Sequence, residues 1–338
     1  KLKFSLIIGV LIMISYLLFL LSGLASGLIN MNREGVDKWH ADAIILNNDA
    51  NQTVEQSLFN EEDVKDTYKK QTTLKQAGVI VSNGNVEENA LLFGVTDNSF
   101  LIPKMIEGKK FTSNNEVIAD ETLKEKNFKI GDKLSLSQSD EILKIVGFSE
   151  SAKYNASPVL FANNDTIAKI NPSLAKTKTN AVVVKDKDWK DKDLNNNLEA
   201  IGIERFVKNL PGYQAQNLTL NFMISFLFVI SATVIGIFLY VITLQKTNLF
   251  GVLKAQGFTN GYLAKVVLSQ TFIIALIGTI IGLLLTLVTG SFLPSAVPIK
   301  FSAVTLIVYG IVLIIVSLIG SLFSILTIRK VDPLKAIG

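Results

Sequence analysis

Residues 218–244 read LTLNFMISFLFVISATVIGIFLYVITL, a long apolar stretch with no Asp, Glu, Lys, Arg or His. A helix rises about 1.5 Å per residue, so about 20 such residues cross a hydrocarbon core of about 30 Å. Three further stretches meet the same test: Phe4–Ile29, Val266–Val288 and Val304–Ile328. Only 18% of the 338 residues are charged and 49% are hydrophobic, against about 25% charged in an average soluble domain. Four buried helices of this length would need a large soluble protein around them. The reading is therefore a membrane protein, α-helical, with four transmembrane helices in a 1+3 order. The first run exceeds the apolar core of a secretory signal, about 7–15 residues, although Ala25-Ser26-Gly27 resembles a cleavage site.

The charges say which parts face which side. Every acidic residue but Asp332 lies between Glu34 and Glu204. The groups Lys1 and Lys3, then Lys246, Lys254 and Lys265, then Arg329, Lys330 and Lys335 hold eight basic residues against one acid. With four crossings these groups share one side, and the positive-inside rule makes it the cytoplasm. The expected layout is helix 1 at 1–29, an extracytoplasmic domain at 30–217, and helix 2 at 218–244. A cytoplasmic loop follows at 245–265, then helix 3 at 266–289, an outer loop at 290–303, helix 4 at 304–328 and a cytoplasmic tail at 329–338. Both termini are expected inside the plasma membrane.

The 30–217 segment reads as α+β. A helix is expected from Asn60, with Glu61, Glu62 and Asp63 at its positive end, to about Gln76. Strands are expected at Gln76–Ser82, Ala90–Val95 and Ala181–Val184. A hairpin joins Lys133–Ser137 to Ile142–Phe148 through Gln138-Ser139-Asp140, preceded by a short helix at Asp120–Asn127 and a turn at Gly131-Asp132. Residues 30–40 and 205–217 are expected to act as stalks.

Several chemistries are set aside by composition. The chain has no Cys and a single His, His40, so thiolate metal sites, iron–sulfur clusters, a Cys nucleophile and a His-rich site lack material. No catalytic constellation, metal site or tightly bound cofactor is expected, and a net charge of +4 gives no argument for nucleic acid. The spans carry no ionisable group, which speaks against a proton- or sodium-driven carrier. No Gly-x-x-x-x-Gly-Lys-Ser/Thr motif occurs, so ATP, if used, is bound by a partner. Gly23-x-x-x-Gly27 and Gly278-x-x-x-Gly282, with Ser317/Ser321 and Gly320/Ser324, suit close helix packing within a subunit or between two.

The segment 245–264, QKTNLFGVLKAQGFTNGYLA, is basic and amphipathic, with Phe250, Leu253 and Lys254 at helical spacing and Gly257 as a stop. Taken alone it suits an interfacial turn on anionic lipid or a docking element. It resembles the coupling loop of FtsX/MacB-type ABC permeases. The tail Arg329-Lys330-Val331-Asp332-Pro333-Leu334-Lys335-Ala336-Ile337 is similar to that family's ending, and residues 108–148 resemble its outside domain. The resemblance implies a permease homodimer working with a separate cytoplasmic ATPase, with Phe250, Gly251, Leu253, Lys254 and Gly257 coupling the two.

Within the family the chain looks most like the haem-efflux (HrtB-type) permeases of Gram-positive bacteria. That likeness implies haem as exported substrate and an HrtA-type ATPase. Under it, Met31, Glu34, His40 and Tyr154 are candidate haem ligands near the outer interface, by the chemistry of axial ligation. Phe19, Phe222 and Phe226 are candidate apolar walls. The alternatives are a mechanotransmission or sensory subunit that regulates an envelope hydrolase or an antimicrobial-peptide response, and a lipoprotein-extracting permease.

Overall fold

The computed structural model describes residues 2–84, 86–175, 177–294 and 297–329; the tail motif from Lys330 onward lies outside them. The chain forms two compact units, one from Ile29 to Gln216 and the other from the segments on either side.

In the second unit, apolar composition makes long helices: α1 (Leu2–Trp39), whose first part belongs here, and then, after the inserted domain, three more. The elements are α1, then the insertion with its strands and two short helices α2 (Asn164–Ile170) and α3 (Ile203–Lys208), then α4 (Tyr213–Gln245), α5 (Thr247–Ala255), α6 (Asn260–Phe292) and α7 (Ala303–Arg329). Four of these, all but α2, α3 and α5, are long and apolar enough to cross a membrane.

Small residues set the crossings. Ser15 Oγ donates to the Gly278 carbonyl at 2.9 Å, and a Cβ on Gly278 would lie 2.7 Å from Leu11 Cβ. A Cβ on Gly282 would collide with Ser15, so the Gly278-x-x-x-Gly282 face receives α1. Gly236 and Gly320 bring α4 and α7 together at 3.0 Å from the Gly236 Cβ position to the Gly320 carbonyl, beside a Thr243–Ser324 hydroxyl pair. The Gly23-x-x-x-Gly27 face lies against a loop. A Cβ on Gly23 would strike the Phe301 ring and one on Gly27 the Pro298 carbonyl, while Lys300 N–H donates to the Gly23 carbonyl at 3.0 Å. That pair of glycines seats the loop between α6 and α7.

The inserted domain contains twelve strands among the described residues: β1 (Ala43–Asn47), β2 (Phe59–Asn60), β3 (Gln71–Asn83), β4 (Val86–Val95), β5 (Met105–Gly108), β6 (Glu116–Asp120), β7 (Lys133–Leu136), β8 (Ser139–Ser149), β9 (Val159–Asn163), β10 (Lys178–Thr179), β11 (Ala181–Val184) and β12 (Leu198–Gly202). The main sheet runs β12-β1-β11-β3-β4-β9-β6-β8-β5, with β7 bridging β3 and β8. Most neighbours are antiparallel, while β4/β9 and β6/β8 are parallel. One face carries a cluster around Trp39, Leu74, Phe93, Phe161 and Phe206. The other carries Val81, Leu92, Phe128, Leu143 and Leu160. The alternation of strand side chains between faces produces these two layers.

The expected strands at 76–82, 90–95 and 181–184 lie within β3, β4 and β11. The expected hairpin is β7/β8, with Leu134 opposite Leu143. Asp120 caps a 3-10 turn by accepting from Thr122 N–H at 2.9 Å, and Asn127 ends it in the left-handed region.

Two expectations are corrected. The helix from Asn60 to Gln76 is absent: Asn60 makes no side-chain cap, a 3-10 turn covers only Glu61–Val64, and β3 begins at Gln71. Sheet pairing outweighs the acidic start, because Thr72 and Thr73 pair with Val183 and Val182. Gln71 meanwhile closes the turn by accepting from Tyr68 N–H at 3.0 Å and donating to the Val64 carbonyl at 2.7 Å. The second correction concerns the stalks. α1 stays helical to Trp39, and Val36, Trp39, Phe206, Val207, Leu210 and Tyr213 are core residues of the domain.

Candidate functional site

α5 is the short helix between the two long helices α4 and α6. Phe250 is 7% exposed and packs with Leu263 and Val267 of α6 and Ile325 and Ile328 of α7. Gly251 is buried beside it and Leu253 is half-buried on the same cluster. Lys254 Nζ donates to the Ile328 carbonyl at 2.8 Å and the Arg329 carbonyl at 3.3 Å, a cation on the negative end of α7. Gly257, with φ +93°, stops the helix in a Schellman arrangement: Phe258 N–H donates to the Leu253 carbonyl at 3.1 Å and Gly257 N–H to the Lys254 carbonyl at 3.0 Å. Thr259 then caps α6 by accepting from Tyr262 N–H at 3.2 Å.

Phe250, Leu253 and Lys254 thus hold α5 onto its own bundle. The opposite surface presents Leu249, Val252, Phe258 and Tyr262, all exposed, with the Phe258 and Tyr262 rings 5.1 Å apart. Reading the sequence for a single apolar face missed these four. Leu249 and Val252 also stand at helical spacing, and a second apolar ridge on so short a helix was the available signal.

The haem-ligand candidates fall into two places. Met31 and Glu34 lie on the later part of α1, which segment 151–157 grips through its backbone: Ala156 N–H donates to the Met31 carbonyl at 3.1 Å and Asn155 N–H to the Asn32 carbonyl at 3.0 Å. Glu34 accepts from Ser151 Oγ at 2.8 Å. Tyr154 belongs to the same segment, but its ring turns inward, stacked on Trp39 at 6.2 Å and edge-on to Phe93 at 5.5 Å. Burial pushes its phenol well above the ordinary range, with the charge of Glu55 adding to the effect. As an iron ligand Tyr154 would first have to leave this core. His40 is apart from them, exposed and in the left-handed region at φ +47°. Its neighbour Trp39 is fully buried. Among the described residues no group of three or more His, Asp or Glu is placed to hold a metal ion. Phe19 is buried, whereas Phe222 and Phe226 are exposed with rings 5.3 Å apart.

Residues 221–333 match the family of FtsX-like permease C-terminal domains. With four helices long and apolar enough to span and the insertion after the first, the chain is a multi-pass membrane protein whose C-terminal part is similar to FtsX-like ABC transporter permeases. Over its whole length it is 26% identical to the putative hemin transport system permease protein HrtB of Staphylococcus haemolyticus, covering 96% of that protein. The protein of the same description from Staphylococcus epidermidis is also 26% identical, again over the whole chain and 96% of the relative. Among solved structures, the periplasmic region of MacB from Actinobacillus actinomycetemcomitans is 16% identical with a TM-score of 0.38, covering 52% of this chain and 94% of that one.

Proposed function

We propose that this chain is the permease subunit of an ATP-driven exporter that extrudes haem from the membrane, as a homodimer with two copies of a separate, HrtA-type ATPase. The inserted domain stands outside the cell and both termini lie inside. The full-length likeness to permeases described as hemin transporters supports the substrate. The observation that carries the coupling is α5, wedged by Phe250 and Lys254 against α6 and α7 while Leu249, Val252, Phe258 and Tyr262 remain uncovered. A push on that apolar surface reaches α6 and α7 directly, because close-packed interiors transmit strain. The ATPase needs an apolar cleft there, and an acidic rim suits the loop's lysines, since residues 205–331 contain no Asp or Glu.

In this arrangement Met31 and Glu34 offer a thioether and a carboxylate to haem near the outer leaflet, and His40 offers an imidazole on a separate surface. Tyr154 serves the core. The test is deletion of the gene followed by growth and cell haem content across a haem titration. Haem sensitivity and accumulation, reversed by the gene, are expected; unchanged tolerance and content would remove the haem assignment.

The mechanotransmission alternative has one structural observation in its favour, the grip of segment 151–157 on α1. α1 itself continues from the apolar unit into the inserted domain.

A further inference from the structure

β3 has an interrupted neighbour. On the edge away from β4, β11 pairs with Gln71–Leu74 and β7 pairs with Val81 and Ser82. Between them, residues 75–80 have no strand alongside. The bonds at the two margins say which groups face this gap. The Leu74 carbonyl accepts from Asn180 N–H at 3.2 Å, Gln76 N–H donates to Asn180 Oδ1 at 2.7 Å, and the Ile80 carbonyl accepts from Ser137 N–H at 3.1 Å. Alternate residues of a strand point their backbone groups to the same edge. The Gln76 carbonyl, both groups of Gly78 and the Ile80 N–H therefore face the gap, and none has a ladder partner among the described residues.

The gap opens into a cavity of about 770 Å³ lined by Gln76, Gly78, Ile80, Ser137, Leu174 and Asn180, among others. Gln76 is 7% exposed and its Oε1 has no hydrogen-bond partner. A Cβ on Gly78 would meet nothing within 4 Å. Unpaired edges are usually guarded by Lys, Pro or a bulge; here Lys75 is buried, residues 76–80 read Gln-Ala-Gly-Val-Ile, and they pair with β4 without a register break.

We propose that this gap is a strand-addition site for a short extended segment of a partner protein. A residue opposite Gly78 would exchange both backbone bonds with it, and the residues two before and two after would reach Ile80 N–H and the Gln76 carbonyl. That makes a segment of about five residues, roughly 17 Å. Side chains flanking the central residue fall on the face of Ala77, Val79, Ile170 and Leu174 and should be apolar. The central side chain stands over Gly78, where there is room. Glu55 is the only charged lining residue among those described, which disfavours an acidic segment. β11 and β7 close the gap at both ends, which blocks open-ended pairing with a regular strand of a second copy.

The test uses the full-length protein in lipid nanodiscs and the blocked peptide Ac-Ser-Val-Thr-Val-Ser-amide, read by residue-resolved hydrogen exchange and by affinity. Expected are fast exchange at Gly78 and Ile80 in the free protein, protection of both with peptide, and weakening of about tenfold or more on N-methylating the central residue. Gly78→Pro removes a donor that does not bond β4 and should abolish binding, while Gly78→Ala should keep it. Three results would each overturn the proposal. They are slow exchange at Gly78 before peptide is added, no protection at millimolar peptide, and equal binding by the N-methylated peptide or by Gly78→Pro protein that still shows β4 protection.

Discussion

The backbone N–H of Gly35, on α1, donates to the carbonyl of Lys153 at 2.8 Å. Four residues earlier, the Met31 carbonyl accepts from Ala156 N–H at 3.1 Å. A loop of the inserted domain is thus spliced onto the helix by main-chain bonds. The close approach requires glycine, because a Cβ on Gly35 would lie 2.7 Å from the Ala152 carbonyl.

Gly35→Ala should therefore destabilise the inserted domain by about 1–3 kcal/mol, the usual cost of forced overpacking. Gly9→Ala, where a Cβ meets nothing within 4 Å, should be neutral or slightly stabilising in the same helix. Thermal unfolding of both variants in one detergent checks the contrast.

For α5, anchor and outward surface should separate cleanly. Phe250→Ala should lower stability by about 3 kcal/mol, through the cluster it shares with Leu263 and Ile328. Leu249→Ser with Val252→Ser should unfold at the wild-type temperature and fail to co-purify with the ATPase. Retained co-purification in the double variant would place the contact elsewhere.

Gly27→Leu should disrupt the seat of the loop between α6 and α7, where the Pro298 carbonyl lies against the glycine. If this face instead joined two subunits, the variant would shift the oligomeric state while leaving thermal stability intact. The expected result is a lower unfolding temperature at unchanged oligomer size.

Asp186 gives a pH signature. The backbone N–H of Lys69, at 3.1 Å, holds its carboxylate below the ordinary range, helped by the Asp188 N–H and the Lys69 ammonium. A depressed carboxylate stabilises the fold above its unfolded value, near 4, and that stability is lost as pH falls through the folded value. Wild-type unfolding temperature should fall below about pH 4 more steeply than that of Asp186→Asn.

Much of the architecture is a one-dimensional property. An uncharged run long enough to span hydrocarbon needs no knowledge of its neighbours, so the four long helices and the position of the insertion are legible in composition alone. So are strands such as Ala181–Val184, whose β-branched side chains suit a buried sheet on both faces. The Gly257 stop belongs here too, because its positive φ is a local demand that glycine meets. What required the tertiary structure were the questions of partner and face. Local propensity favoured a helix at Asn60, but pairing of Thr72 and Thr73 with β11 turned that segment toward a strand. Tyr154 looks like any loop tyrosine until Trp39 and Phe93 close over it. Gly23 and Gly27 advertise close packing, yet only the fold reveals that a loop fills the notch. α5 is likewise apolar on two sides, and contacts with α6 and α7 decide which side is spent within the subunit and which is left for another.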